Sequence, residues 1–201
     1  MKINNLTVEL VPKTCWWSSV RSMVTITEWN KIRKLSYASA NNKCEICGSD
    51  GLKQGYKHRV ECHEVFEYDD INHIQKLVKL ISLCVNCHQV KHIGRAIAMG
   101  RQVICLKHLA KVNNWSQKEI QDHIIASFET NKERSKHQWT LDISLLKLEP
   151  YNIIIKENTE RVFKVIKHKK KKKPKIAGAN KKIHPKAKIG LILKKKPNKK
   201  P

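Results

Sequence analysis

The stretch LCVNCHQVKHIG, residues 83–94, places two cysteines and two histidines within nine positions. Thiolate sulfur and imidazole nitrogen are the ligands that zinc usually takes in proteins, so Cys84, Cys87, His88 and His92 are all candidate metal ligands. The stretch fits either one zinc site or two metal sites that share this segment. The rest of the chain distinguishes these two alternatives.

A second cysteine pair supplies the other half of a zinc site. Cys44 and Cys47 have the same C-x-x-C spacing as Cys84 and Cys87, and 36 residues separate the two pairs. Two such turns present four thiolates, which complete the tetrahedral shell of a structural zinc. The intervening segment leaves room for a β-hairpin, and this layout predicts a treble-clef-like zinc finger in an α+β fold. The alternatives are two disulfides or unrelated core cysteines.

The histidines after the second pair need a separate explanation, because four cysteines already complete the zinc shell. His88 and His92 are four residues apart at the start of a predicted helix, where such positions share one face. His88 follows Cys87 directly and is therefore expected to point away from the zinc. Two histidines with this spacing can bind one divalent ion, and the segment around His63 and Glu64 is the best source of a third ligand.

Hydrophobic periodicity and capping signals predict the other elements. Alternating apolar residues predict strands at 5–11 and 58–68 and a closing strand within 137–146. Helices are predicted at 25–39, 101–112 and 116–137, with capping boxes at Thr25–Glu28 and Ser116–Glu119. The helix after Cys87 is expected to end or bend at Gly94. The five tryptophans are expected to pack in the core rather than to stack on bases: Trp16, Trp17, Trp29, Trp115 and Trp139.

The positive charge of the chain is concentrated at its C-terminal end. Residues 161–201 hold 18 lysines or arginines and no acidic residue, which leaves +6 of the net charge of +24 for residues 1–160. A positive field favours polyanions. DNA is therefore the expected partner and RNA the alternative. We expect no small-molecule substrate. The tail has little apolar surface to offset chain entropy, so we expect it to be disordered when free.

Membrane and secretory signals are not found in the sequence. No apolar run reaches the roughly 18 residues of a spanning helix, and the N-terminal segment lacks the apolar region of a signal peptide. We therefore expect a cytoplasmic, intracellular protein that is not secreted and does not associate with membranes. It would be nucleoid-associated or encoded by a phage or virus. In a reducing compartment, clustered cysteines hold metal more often than they form disulfides. The odd total of seven cysteines also argues against complete pairing.

Three segments together resemble the zinc-knuckle subtype of the HNH endonuclease family: CEIC (44–47), VECHE (60–64) and LISLCVNCHQVKH (80–92). The resemblance extends through the flanking segments to residues 5–147 and excludes the basic tail. It implies a ββα-metal finger and metal-dependent hydrolysis of phosphodiester bonds in DNA. It also implies a catalytic divalent ion, Mg²⁺, Mn²⁺, Ni²⁺ or Zn²⁺, in addition to the structural zinc.

The resemblance assigns roles to individual residues. His63 occupies the first motif position, which binds the divalent ion, and Glu64 occupies the second, which activates water. His88 and His92 occupy the helix positions that help to hold the ion or the scissile phosphate. Three basic side chains are expected to neutralise phosphates: Lys79, Lys91 and Arg95.

The chain departs from the family pattern at two positions. Glu64 stands where the family usually has His, and Lys79 stands where it has the Asn of the motif name. A shift of the motif by one residue would make His63 the base and Cys62 its neighbour. The alternative functions are a non-catalytic zinc-finger protein that binds nucleic acid through a degenerate HNH site, and a basic RNA-binding protein.

The length of 201 residues indicates one domain with appendages. Four segments are predicted: an N-terminal strand and helix that pack on the core (1–43), the HNH zinc-finger domain (44–95), a helical extension with a closing strand (96–160) and the Lys-rich disordered tail (161–201).

Overall fold

An antiparallel β-hairpin lies between the two cysteine pairs, as their spacing predicts. In the computed structural model, which describes residues 6–153, strand β1 (Glu61–Asp69) pairs with strand β2 (Ile74–Leu83). In this register His63 of β1 lies opposite Ile81. A short third strand, β3 (Thr140–Asp142), runs parallel to β2 and completes a sheet of order β1-β2-β3.

Six α-helices accompany the sheet in the described residues, so the fold is mixed α+β, as predicted. They are α1 (Val20–Met23), α2 (Ile26–Ser39), α3 (Val85–Lys91), α4 (Ile93–Ala98), α5 (Gln102–Asn113) and α6 (Gln117–Arg134). Short 3-10 helices lie at Lys13–Cys15, Leu52–Gln54 and Ser144–Lys147. The predicted helices at 25–39 and 101–112 are confirmed as α2 and α5.

The two predicted capping boxes start two of the longest helices. The Thr25 side chain accepts the Glu28 backbone N–H at the start of α2, and the Glu28 carboxylate accepts the Thr25 N–H at 2.7 Å. Ser116 and Glu119 form the same reciprocal pair at the start of α6. These bonds satisfy backbone donors that the first helical turn leaves without a partner, so the local sequence fixes where both helices begin.

The helix after the second cysteine pair breaks earlier than predicted. α3 ends at Lys91, His92 leaves the helical region with a φ of −102° and a ψ of 43°, and α4 begins at Ile93. The prediction of a break at Gly94 is wrong, because Gly94 lies inside α4. A side chain at Gly94 would lie against Leu10, since a Cβ there would be 3.4 Å from Leu10 Cδ2.

Residues 6–11 form a segment that we call the N-terminal strap, and the prediction of a strand at 5–11 is wrong for these described residues. The backbone of the strap is held by side chains and by a helix end. Leu6 N–H donates to Asn113 Oδ1, and the Leu6 carbonyl accepts from Asn113 Nδ2, both at 2.8 Å. Both polar groups of a fully buried residue are thereby satisfied.

The strap continues across α3 and α6. Val8 N–H donates to His123 Nε2 at 2.9 Å, and Glu9 N–H donates to the Lys91 carbonyl at 2.9 Å. Alternation in the sequence correctly indicates an extended segment with one buried side, since Leu6 and Val8 are buried. Such a pattern does not specify whether a strand or a helix covers that side, which is why the strand prediction fails.

The core lies between the sheet and the helices. Its largest fully buried apolar side chains are Leu6, Ile32, Leu77, Leu83, Ile93, Leu109, Ile124 and Leu146. Trp16 and Trp17 are 63% and 71% exposed, so their predicted place in the core is wrong. Both lie in the turn after the Lys13–Cys15 helix, whereas the other three tryptophans are half-buried.

The predicted basic tail, 161–201, lies outside the described residues, as does the end of the predicted helical extension, 154–160. The described residues belong to one compact unit, and its predicted division after residues 43 and 95 stays a prediction. Within residues 6–153, no helix is both long enough and apolar enough to cross a membrane.

Removal of the Asn113 side chain should destabilise the strap. In Asn113→Ala, the buried Leu6 N–H and C=O lose their partners, and a buried polar group without a partner costs roughly 1–3 kcal/mol. We expect the free energy of unfolding in urea to fall by about 2 kcal/mol or more. The control is Lys111→Ala, an exposed change on the same helix, which should alter it by less than about 0.5 kcal/mol. Equal effects of the two substitutions would contradict the role of Asn113.

Candidate metal centres

Two local structures bring the four cysteines together. Cys44 and Cys47 lie in a tight turn after α2, where Gly48 N–H donates to the Cys44 carbonyl at 2.9 Å. Gly48 has a φ of 70°, in the left-handed region that glycine adopts at the lowest cost. Cys84 and Cys87 lie at the start of α3, where the Cys84 sulfur caps the helix by accepting the Cys87 N–H at 3.5 Å.

The spacing of the sulfur atoms fits a tetrahedral metal ion. The four sulfurs of Cys44, Cys47, Cys84 and Cys87 all lie within 4.8 Å of one another, and those of Cys47 and Cys84 are 3.5 Å apart. Zinc bonds of about 2.3 Å in a tetrahedron separate the ligand sulfurs by roughly 3.8 Å. A disulfide would require about 2.05 Å, and all seven cysteines are free. The four cysteines can therefore hold a structural metal ion such as zinc.

Neighbouring side chains donate to these sulfurs. Gln54 Nε2 donates to Cys84 Sγ at 3.1 Å, and His108 Nε2 lies 3.1 Å from Cys87 Sγ. Hydrogen bonds within the cluster lower the pKa of the Cys44 and Cys84 thiols and raise the pKa of the Cys47 and Cys87 thiols, because sulfurs this close share their protons. His108 belongs to no motif that connects it to the cysteines, so the sequence does not indicate this contact.

Three histidines form a second cluster. His63 comes from β1, His88 from α3 and His92 from the junction of α3 and α4. Their ring centroids are 4.8 to 5.2 Å apart, and one nitrogen of each ring lies within 4.8 Å of the others. These are the three histidines that the sequence predicts as one site. Imidazole nitrogens suit Zn²⁺, Ni²⁺ and other transition-metal ions.

Two carboxylates orient two of the imidazole rings. Glu9 Oε2 lies 2.9 Å from His63 Nε2, and Glu61 Oε2 lies 2.6 Å from His88 Nδ1. An ionised carboxylate only accepts hydrogen bonds, so the contacted nitrogen carries a proton and the other nitrogen of a neutral ring is free to bind a metal. The same pairing of carboxylate and imidazole orients the histidine ligands of many metal sites.

Glu9 is a site residue that sequence analysis misses. It lies 54 residues before His63 and belongs to no motif, and its only signal is a charge within an otherwise alternating apolar segment. The ammonium of Lys91 forms an ion pair with the Glu9 carboxylate and also donates to Thr7 Oγ1 at 3.0 Å. The strap therefore supplies a carboxylate to the histidine cluster.

The protonation of this cluster follows from burial and from these contacts. Burial acts to raise the pKa of Glu9, but hydrogen bonds from His63 and Lys91 outweigh it and lower the pKa to about 2. Burial lowers the pKa of His63, and it lowers the pKa of His92 to about 3. Near pH 7 both rings are neutral, which is the form that ligates metal ions.

Glu64 has a different position from the histidines. Among the described residues, the metal-binding cluster around His63 does not include it. The Glu64 carboxylate accepts the Val20 N–H at 2.5 Å, at the start of α1, and burial raises the pKa of this carboxyl. Burial also raises the pKa of Cys62, the alternative neighbour of the base, to about 12. The predicted role of Glu64 in activating water stays a prediction.

The three basic residues expected at phosphates have different environments. Lys79 is exposed, and its Nζ lies 3.0 Å from Glu45 Oε2. Arg95 is also exposed. Lys91 is only 4% exposed and its ammonium is turned inwards to Glu9, and its expected position at a phosphate stays a prediction.

A cavity of about 530 Å³ adjoins the histidine cluster. His63, His88 and His92 form part of its wall, and residues of the strap and of α6 line other sides. Its other lining side chains include Arg21, Trp29, Glu64, Phe66, Tyr68 and Asn131. A volume of this size is typical of pockets that bind small ligands or single groups of a larger one.

Comparison with protein-family models, with curated proteins and with solved structures finds no match for this chain. Function must therefore be inferred from the two clusters and from the cavity beside the histidines.

Metal analysis of the purified protein tests the cysteine cluster. We expect one tightly held zinc per chain by elemental mass spectrometry, because four thiolates close the shell. Cys87→Ala should lose this zinc and lower the thermal midpoint of unfolding. The matched control is Cys105→Ala, which removes a buried cysteine outside the cluster and should keep the zinc. Folded wild-type protein without metal would contradict the assignment.

Proposed function

We propose that this protein is a metal-dependent nuclease of the HNH type that hydrolyses phosphodiester bonds in DNA. The observation that carries the proposal is the meeting of His63, His88 and His92 on a hairpin and a helix, with one cysteine pair in the turn after α2 and the other at the start of α3. A cysteine turn, a hairpin, a second cysteine pair and a helix follow in the order expected of a ββα-metal, treble-clef-like finger. In this interpretation the cysteines hold structural zinc and the histidines hold a catalytic ion.

The residues around the cavity suit phosphodiester hydrolysis. A divalent ion such as Mg²⁺, Mn²⁺, Ni²⁺ or Zn²⁺ would supply positive charge for the negative charge that builds up on the phosphate and the leaving oxygen. His63, His88 and His92 would hold that ion. In the reaction, water attacks phosphorus, a base accepts its proton, and the bond between phosphorus and the leaving oxygen breaks. Glu64 is the candidate base, and His63 takes that role instead only if the motif is shifted by one residue and His63 does not hold the ion; both line the cavity.

A second candidate function follows from the two departures from the motif. Lys79, in the place of the motif Asn, pairs with Glu45, and the Glu64 carboxylate accepts the Val20 N–H. Both side chains are engaged in structural contacts, which favours a non-catalytic zinc finger that binds nucleic acid. Only the nuclease cleaves the DNA that it binds, and this difference can be measured.

Plasmid cleavage distinguishes these functions. With Mg²⁺, Mn²⁺ or Ni²⁺, the wild-type protein should convert supercoiled plasmid to nicked or linear forms. His63→Ala and His88→Ala should each lower the rate by roughly 10²-fold or more, because each removes a group that holds the ion or the proton. The control is His137→Ala, which changes an exposed histidine outside the cluster and should cut at the wild-type rate.

Two results would count against the nuclease. One is DNA binding without cleavage under every metal, which would support the non-catalytic zinc finger. The other is cleavage at the same rate in all three variants, which would point to a contaminating activity.

Glu9 is inferred to be a positioning residue of the same site. In Glu9→Gln, the charge that faces His63 and Lys91 is lost, and loss of a group that orients a metal ligand typically costs 10- to 100-fold in metal affinity or activity. We expect a loss of this size in both Ni²⁺ affinity, measured by calorimetry, and plasmid cleavage. Glu67→Gln, an exposed change on β1, should match the wild type in both. Unchanged Ni²⁺ affinity in Glu9→Gln would refute the positioning role.

A further inference from the structure

Two exposed tryptophans lie in the turn between the Lys13–Cys15 helix and α1. Trp16 and Trp17 are 63% and 71% exposed, and they are adjacent in the chain. Hydrogen bonds hold the turn: Trp16 Nε1 donates to the Val11 carbonyl at 3.2 Å, and Ser22 Oγ donates to the Trp17 carbonyl at 3.0 Å. The core makes little use of these rings, and neighbouring exposed apolar side chains mark an interaction site.

The tryptophan pair lies at the edge of the cavity that the histidines line. Val11, whose carbonyl accepts the Trp16 N–H, is a lining residue of the cavity. Ser19 and Arg21, shortly after Trp17 in the chain, also line it. Arg21 is exposed, so the lining of the cavity includes a cation.

The histidine cluster is largely buried, in the wall of a cavity that is partly open to solvent. His63 is 3% exposed and the His88 side chain 23%, beside a cavity of about 530 Å³. This volume fits a unit of the size of one nucleotide, but it does not fit paired strands. An unpaired strand is flexible enough to bring a phosphodiester to His88.

Charge and aromatic rings complement such a strand. The chain carries a net charge of +24, which attracts any nucleic acid. Proteins that bind unpaired strands combine positive charge with aromatic rings on which successive bases stack, and each stacked base raises the affinity by roughly fivefold or more. Duplex DNA does not offer the faces of its bases in this way, so stacking discriminates between the two forms.

We propose that the substrate of this site is single-stranded DNA, whose bases stack on Trp16 and Trp17 while the strand leads a phosphodiester into the cavity beside the histidines. Cleavage of the bound strand rests on the proposed nuclease function. The selective binding of the single strand does not rest on that function, and it can be measured separately.

Fluorescence anisotropy with the full chain tests the binding. A labelled 20-nucleotide strand of mixed sequence and its blunt duplex are each titrated without added divalent ion. Trp16→Ala combined with Trp17→Ala should bind the single strand at least fivefold more weakly and leave the duplex affinity unchanged, so the duplex controls for the basic tail. Trp16→Phe combined with Trp17→Phe should retain most of the single-strand affinity, because phenylalanine also stacks. Ile71→Ala removes an 89% exposed apolar side chain and should change neither.

The outcomes separate this inference from the proposed nuclease. The inference would be overturned if the double alanine variant lost the same affinity for strand and duplex, or lost affinity for neither. This holds even if the protein cuts plasmid. Tryptophan-dependent strand binding without cleavage under any metal would overturn the nuclease and keep the single-strand site. If both proposals hold, the labelled strand is cut faster than its duplex, and the double alanine variant loses that preference while the double phenylalanine variant keeps it. Circular dichroism melting of each variant checks that it is folded.

Discussion

The shared metal shell of the four cysteines is the constraint on which the site depends. Cys44 and Cys47 follow α2, whereas Cys84 and Cys87 follow β2, and a common ion would tie these two segments together. Structural zinc in small fingers contributes roughly 10–16 kcal/mol at neutral pH. Because Cys84 also caps α3, the ion that it holds would set where that helix begins and how it is directed. The histidines of α3 thus take their positions from the cysteines.

The strap, a distant part of the chain, also helps to position the histidine cluster. A buried ion pair is costly to desolvate, and it is tolerated only when each charge gains further partners. Glu9 gains His63 in addition to Lys91, and Lys91 gains Thr7 in addition to Glu9. These four residues come from three elements: Thr7 and Glu9 from the strap, His63 from β1 and Lys91 from α3. The contacts that orient His63 are therefore the same contacts that fasten the strap to the core.

Local sequence signals predict much of this fold. The C-x-x-C spacing, the two capping boxes and the alternation around His63 all correspond to observed elements, and the histidine pair lies with His63 in one cluster. The failures concern contacts between distant segments. Nothing near Glu9 in the sequence indicates that Lys91, 82 residues later, will be its partner. Periodicity indicates which side of an element is buried, but not which residues cover that side. For this reason it does not predict the inward direction of Lys91 or the exposure of Trp16 and Trp17.

The attachment of the strap also sets an order of events during synthesis. Its partners Asn113 and His123 lie 107 and 115 residues after the strap residues that they bond. The strap therefore leaves the ribosome well before these partners and can complete its docking only after they emerge. Residues 44–92 can gather both sets of metal ligands as soon as they emerge, since domains form as their segments become available. A nascent chain that ends before α5 would carry all three clustered histidines but would lack Asn113 and His123, two of the docking contacts of the segment that brings Glu9 to His63.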